Sequence, residues 1–348
     1  MIKKRIIIIL VGIIASGFIL SIQAFGNQTC KQPLTNGTDS FLGRWALFLP
    51  DGAGWLEVRQ EKGYLDGNLL WYGGSVTPVN SILLKNDTLI ITRNRDIIRK
   101  RDNDNNPVRT HTLSSWIECV IVNGELTGKA LIPNRTGESF SVTLFSGKRI
   151  PPLPPVPELS EIKYGKPIEL FNGEDLSGWK LINSKNTNGF RVEEGVLIND
   201  PVQLEDKPHI HYGNLRTTGE FEDFNLKVEV NIPQGSNSGI CLRGIYEVQV
   251  FDSYQKPLDS HNMGAVYSRI TPTISAEKPA GEWQTLDITL CNRHVTVKLN
   301  GKLIINNQPL LGVTGGALTA DEFSPGPIFF QGDHGKILYR NIVLTPIL

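Results

Sequence analysis

The sequence predicts an all-β protein: a jelly-roll or lectin-like sandwich in the C-terminal half, preceded by a small antiparallel β-domain. Three observations carry this. Apolar residues recur at period two, as in Leu226, Val228, Val230 and Ile232, and in Trp45, Leu47 and Leu49, which is the repeat of a strand with one buried face. The pairs Asn123-Gly124 and Asn300-Gly301 lie between alternating runs and signal type I′ hairpin turns. Helical periodicity persists nowhere beyond one or two turns, while 34 glycines and 21 prolines are spread along the chain, as many short strands joined by turns require.

Taken in order, Lys3, Lys4 and Arg5 precede an apolar run over residues 6–22 and the small residue Ala24. This pattern is that of an export signal, residues 1–24, cleaved after Ala24 to leave a periplasmic or secreted protein. The alternative is an uncleaved membrane anchor, because the run is nearly long enough to span a bilayer. No other segment has that length and apolarity, so no membrane span is expected after cleavage. Residues 41–149 read as a small β-barrel or sandwich, with strands near 43–49, 54–60, 68–72, 81–84, 88–93, 116–122, 125–132 and 139–146. Between them, residues 95–109 are highly charged without an apolar period and are expected to form a mobile loop. Residues 150–160 begin Ile150-Pro151-Pro152-Leu153-Pro154-Pro155-Val156-Pro157, which reads as a semi-rigid polyproline spacer. Residues 161–348 then run strand after strand, including a long or bent strand over 238–252 and a hairpin of 282–290 with 294–299.

Composition narrows the function classes. The 348 residues suffice for two domains. Thirty-five basic residues balance 35 acidic ones, so no global field draws nucleic acid or an anionic membrane. Removing residues 1–24 takes away three positive charges and no acid, leaving a slightly acidic chain. Cys30, Cys119, Cys241 and Cys291 would permit disulfides in an exported protein, with three pairings open. Cys241 and Cys291 lie in apolar runs and read as buried thiols. Cys-x-x-Cys, P-loop, dinucleotide, nucleophile-elbow and His-Glu-x-x-His motifs do not occur.

Chemistry-bearing residues concentrate in two places. Along the strand around Arg243, alternation puts Arg243, Glu247 and Gln249 on one face and Tyr246, Val248 and Val250 on the other. A strand face carrying a cation, an acid and an amide is expensive to bury and suits a wet sugar-binding surface; the competing reading is a buried ion pair between Arg243 and Glu247. The second place is Gln331-Gly332-Asp333-His334-Gly335, where two glycines let an acid and an imidazole approach a ligand closely. Arg243, Glu247, Gln249, Asp333 and His334 are therefore expected to face one pocket. Gln331 and Tyr246 are added as substrate contacts, with His211, Tyr212 and His261 on the rim. Carboxylates, imidazoles and amides on adjacent strands would also suit a divalent metal ion, but no spacing specifies one.

Ordered segments across residues 166–348 resemble the 3-keto-disaccharide hydrolase family, whose members are also described as 3-keto-glucoside 1,2-lyases and 2-hydroxy-glucal hydratases. They include Leu170-Phe171-Asn172-Gly173-Glu174-Asp175-Leu176-Ser177-Gly178-Trp179, Asn237-Ser238-Gly239-Ile240, Arg243-Gly244-Ile245-Tyr246-Glu247-Val248-Gln249, Gly281-Glu282-Trp283, Leu299-Asn300-Gly301, Gly326-Pro327-Ile328 and Gln331-Gly332-Asp333-His334-Gly335. The resemblance implies a concanavalin-like jelly roll and an enzyme that cleaves an oligosaccharide or glycoside bearing a C3 ketone by elimination and hydration. That route needs a base at C2, a donor for the enediolate oxygen and an acid for the leaving oxygen. His334 is then the proton-transfer residue, Arg243 the oxyanion partner, and Glu247 the general acid/base or a metal ligand. Two other readings stay open: a two-carboxylate glycosidase pairing Glu247 with Asp252 or Asp333, and a non-catalytic carbohydrate-binding module.

Overall fold

A computed structural model describes residues 37–348, so residues 1–24, expected to be an export signal, and Cys30 lie outside the described residues. The first nine strands are β1 (Gly43–Leu49), β2 (Gly52–Glu61), β3 (Tyr64–Trp71), β4 (Thr77–Pro78), β5 (Ser81–Lys85), β6 (Thr88–Arg101), β7 (Pro107–Val122), β8 (Glu125–Pro133) and β9 (Phe140–Arg149). They form one antiparallel sheet in the order β4-β3-β2-β1-β9-β8-β7-β6-β5. Its edges are consecutive in the chain and meet through two residues. Val79 N donates to Gly67 O of β3 (3.0 Å), and Asn80 N donates to Thr92 O of β6 (2.8 Å). The sheet thereby curls into a barrel around Trp45, Leu47, Leu56, Leu69, Leu89 and Ile91. Asn123 and Gly124, at φ 53° and 84°, make the expected left-handed turn between β7 and β8.

Residues 95–109 are not a mobile loop. β6 and β7 continue as a paired ladder from Leu89↔Cys119 out to Arg101↔Pro107, turning over the five residues between the strands. Backbone pairing and cross-strand bonds such as Thr112 Oγ1 to Asp96 Oδ1 (2.6 Å) and Ser114 Oγ to Asn94 Oδ1 (2.8 Å) hold the outer part. Much of that extension is exposed, so no apolar alternation marks it in the sequence.

The remaining strands are β10 (Ile168–Glu169), β11 (Trp179–Leu181), β12 (Phe190–Glu193), β13 (Val196–Asn199), β14 (Leu215–Thr217), β15 (Phe224–Asn231), β16 (Asn237–Leu242), β17 (Tyr246–Phe251), β18 (Trp283–Cys291), β19 (His294–Leu299), β20 (Lys302–Pro309), β21 (Phe329–Phe330) and β22 (Ile337–Pro346). They build two antiparallel sheets. One runs β12-β13-β22-β15-β18-β19-β20, with β10 also on β22; the other runs β11-β14-β21-β16-β17. Their inner faces share a core that includes Phe224, Leu226, Val228, Ile240, Val248, Leu286 and Val297. Each fully buried aliphatic side chain of this kind contributes roughly 1.5–3 kcal/mol. The structure is thus all-β, with a jelly-roll-type sandwich behind a barrel. Among the described residues no helix is long and apolar enough to cross a membrane. Cys119, Cys241 and Cys291 are buried free thiols.

The barrel wall is docked on the sandwich. Ala46, Ala53, Trp55 and Leu70 join the sandwich core cluster. Arg269 lies over the Trp55 ring at 4.3 Å, Val76 N donates to Ser268 Oγ (2.9 Å), and Gly316 N donates to Tyr72 O (3.0 Å). The proline-rich stretch is held at both ends: Ile150 N donates to Arg44 O (2.8 Å), and Pro157 O accepts from Asn307 Nδ2 (2.9 Å).

Candidate active site

The site grows from the β16–β17 hairpin. Its register pairs Gly239 with Gln249, Cys241 with Glu247 and Leu242 with Tyr246. Alternation sends Val248 and Val250 into the core and turns Glu247 and Gln249 to the other face of the sheet. Both polar side chains are nevertheless about 3% exposed. Gly239 is what leaves room for Glu247: a Cβ there would overlap Glu247 Oε1.

The ladder between β16 and β21 brings in the glycine-flanked loop. Gln331 N donates to Gly239 O (3.1 Å), which sets the Gln331 side chain to donate from Nε2 to Glu247 Oε1 (2.9 Å). Gly332 packs against the Gly213 carbonyl so closely that a Cβ would overlap it, and its N–H donates to Asn214 Oδ1 (3.0 Å). Beyond it, His334 Nδ1 bonds Asp333 Oδ1 at 2.6 Å, with both side chains about half exposed. Gln249 Nε2 donates to Asn237 Oδ1 (3.0 Å), and Gln249 Oε1 is a buried acceptor with no partner among the described residues. The structure therefore brings together Glu247, Gln249, Gln331, Asp333 and His334.

Two expected members are elsewhere. Arg243 lies in the turn after β16, at φ 54°, so strand parity does not apply to it. Its Nη2 donates to Glu322 O (2.9 Å) and Ser324 O (2.5 Å), and the residue is 4% exposed. It ties the turn to the segment of Glu322 and Ser324 and forms no ion pair with Glu247. Tyr246 is inward-facing and fully buried, donating from its hydroxyl to Glu322 Oε2 (2.7 Å), so it is a core residue rather than a substrate contact.

The rim residues divide. His211 and Tyr212 belong to the loop against Gly332; the His211 carbonyl accepts from Thr187 N (2.9 Å) and the Tyr212 hydroxyl donates to Val202 O (2.9 Å). His209 packs edge-on against the His211 ring at 5.0 Å and contributes positive potential at Asp333. His261 meets the Tyr267 ring edge-on at 4.8 Å. Tyr267 N donates to Glu247 O (3.0 Å), so this strand-like segment lies beside β17. His261 itself is held by Asp259 Oδ1 at Nδ1 (2.5 Å) and, from the barrel, by Ser75 Oγ at Nε2 (2.8 Å). Asn214, Tyr267 and Ser75 are contributors that local sequence patterns do not single out, because each is placed by pairing distant in sequence; Asn237 lies in one of the segments that carry the resemblance.

Electrostatics separates the two acids. Burial pushes the Glu247 carboxyl up to about 8; the Asp333 charge adds to this, while His334 and the Gln331 hydrogen bond oppose it. The His334 hydrogen bond holds Asp333 below the usual carboxylate range. His334 is raised, chiefly by that same bond to Asp333 and further by the charges of Asp333 and Glu247, against the effect of burial. Near neutral pH this face therefore pairs a predominantly protonated buried carboxyl with an imidazole biased toward its cation. Among the described residues no group of three or more His, Cys, Asp and Glu converges as metal ligands.

The model of a 3-keto-alpha-glucoside-1,2-lyase-like domain matches residues 166–345, which holds β10 to β21 and the Glu247, Gln249, Gln331, Asp333 and His334 side chains. The chain belongs to this family. No curated protein matches it. Among solved structures, one from Parabacteroides distasonis described as a candidate glycosyl hydrolase is 28% identical, covering 57% of this chain and 93% of its own, with a TM-score of 0.43. A non-specific endo-β-1,3(4)-glucanase is 12% identical over 56% of this chain and 93% of its own, with a TM-score of 0.33. A carbohydrate-binding module of Bacillus subtilis is 13% identical over 49% of this chain and 97% of its own, with a TM-score of 0.32.

Proposed function

We propose that the protein cleaves 3-keto-glycosides by elimination followed by hydration, at the face formed by Glu247, Gln331, Asp333 and His334. The observation that supports this most is the poise of two neighbouring proton-transfer groups. Glu247 titrates at about 8, so its ionised fraction near neutrality is a far stronger base than an ordinary carboxylate, and the Asp333-bound His334 is biased toward the imidazolium, an acid. The C3 ketone acidifies the C2 hydrogen. Glu247 carboxylate takes that proton, the C1–O bond breaks as the C1=C2 double bond forms, and the His334 imidazolium protonates the departing oxygen. Gln331 Nε2 has a second hydrogen for the enediolate oxygen, the role Arg243 cannot fill from the turn. In the return step, water adds its hydroxyl to C1 while His334 takes the released proton and Glu247 gives its proton back to C2. The sum is hydrolysis of the glycosidic bond, with both side chains restored.

A two-carboxylate glycosidase is the second reading, favoured by the electrostatic contact of Asp333 with Glu247. Asp252 offers less, since its Oδ2 already accepts from Gly235 N (2.9 Å). Incubating the protein with a 3-keto-α-glucoside beside its unoxidised parent separates the possibilities. Elimination predicts aglycone release from the ketone alone. Release from both sugars indicates the two-carboxylate route, and binding without release indicates a carbohydrate-binding module.

A further inference from the structure

The barrel has two ends, and an arginine stands at each. At one, Arg149 stacks over the Trp45 ring at 4.2 Å and donates to the carbonyls of Ser40 (2.5 Å) and Leu42, which plugs that end with a well-satisfied cation. The other end is open. There, Trp71, Arg93, Arg95, Ile117, Ala130 and Ile132 line a cavity of about 210 Å³, with Asn94 and Ser115.

Arg93 occupies this cavity because of strand parity. Leu89 and Ile91 on β6 are fully buried in the barrel core, and Arg93 is the next residue on the same inward face. Its pairing partner across the ladder is Ser115, also a lining residue. Among the described residues its guanidinium makes one hydrogen bond, Nη2 to Thr77 Oγ1 (3.1 Å), and no ion pair with a carboxylate. Burial lowers its affinity for the proton with no acid to compensate. Arg95 beside it is engaged with the Pro133 carbonyl (2.8 Å). Among the described residues no carboxylate lines the cavity. Its walls are apolar: Ile117, Ala130, Ile132 and the indole of Trp71, which is fixed edge-on against Phe145 at 5.5 Å and whose Nε1 has no partner among the described residues. A half-buried cation facing an apolar chamber without a counter-charge is a costly arrangement unless an anion completes it.

We propose that the open end of the barrel binds a small monocarboxylate with an apolar body, its carboxylate on the Arg93 guanidinium and its body against Trp71, Ile117, Ala130 and Ile132. The chamber is smaller than the roughly 300–1,000 Å³ of pockets for drug-sized ligands, which limits the body to a short chain or a single ring. This site stands apart from the Glu247 face and does not depend on the reaction proposed there.

Isothermal titration calorimetry on the full chain tests the assignment with four probes: octanoate, phenylacetate, octanol and glucuronate. Octanoate or phenylacetate is expected to bind saturably at one site. Octanol, lacking the anion, and glucuronate, whose hydroxyls would be stripped of water against Ile117 and Ile132, are each expected to bind at least roughly tenfold more weakly. Arg93→Met should weaken carboxylate binding by at least roughly tenfold, and Arg93→Gln, a polar residue of intermediate length, supplies the same comparison if the methionine variant does not fold. Absence of saturable carboxylate binding overturns the proposal, as does unchanged affinity in whichever Arg93 variant is folded. Glucuronate binding as tightly as octanoate overturns the apolar-body assignment.

Discussion

Glu247→Gln is expected to slow turnover of a 3-keto-glucoside by roughly a hundredfold to ten-thousandfold, the usual loss when a general acid or base is removed. The same variant is expected to be more stable than the parent at pH 9. Burial raises the Glu247 carboxyl to about 8 in the folded state, whereas in the unfolded chain it titrates near the ordinary value of about 4.5. Below that lower value both states hold the proton and stability is fully present. Between the two values only the unfolded chain ionises, so stability falls as pH rises, by roughly 1.4 kcal/mol per pH unit for this group alone. Above about 8 both states are ionised and the loss is complete. Glutamine keeps the acceptor for Gln331 Nε2 without the ionisation, so its melting temperature should exceed the parent's at pH 9 and approach it at pH 5. Melting curves at the two pH values, beside rates on the ketone substrate, check both halves. Retained turnover would remove Glu247 from the chemistry, and a variant less stable at pH 9 would mean that Glu247 is paired as a carboxylate.

Arg243→Ala should do the reverse, damaging stability and sparing chemistry. Arg243 is 4% exposed and its guanidinium satisfies the carbonyls of Glu322 and Ser324, two residues of a segment in which Glu322 is itself 1% exposed. Each acceptor left without a donor costs about 1–3 kcal/mol, so the loss is expected at roughly 2–5 kcal/mol in urea denaturation. Turnover per folded molecule should stay within about threefold of the parent, since removal of a remote group leaves the transition-state contacts in place. Unchanged stability with abolished turnover would return Arg243 to the role of oxyanion partner.

These two variants mark where the sequence was legible. Alternation over Leu226, Val228, Val230 and Ile232, and the left-handed Asn-Gly turns, are local properties, and the corresponding strands and hairpins form as expected. Parity also held for Glu247 and Gln249, which lie within β17. It failed at Arg243 because three residues of turn interrupt the run, and an Arg-Gly pair in left-handed geometry carries a weaker signal than Asn-Gly. The β6–β7 extension was invisible to a rule based on apolar period, since backbone pairing holds it with much of its side-chain surface in water. Docking of the barrel was hidden too: the Ser75–His261 and Trp55–Arg269 contacts join residues about 190 and 210 positions apart by their numbers, beyond the reach of any local pattern.

The central claim, that a C2 hydrogen leaves before the glycosidic bond is remade as a hemiacetal, is tested by proton NMR of the full chain with a 3-keto-α-glucoside deuterated at C2. Glu247→Gln serves as the control for uncatalysed exchange. The account predicts that aglycone release is accompanied by a transient vinylic C1 proton of the 2-hydroxy-3-keto-glucal and by loss of the C2 label beyond that control. Release of aglycone with the label fully retained, and with no vinylic signal at any time, would contradict it.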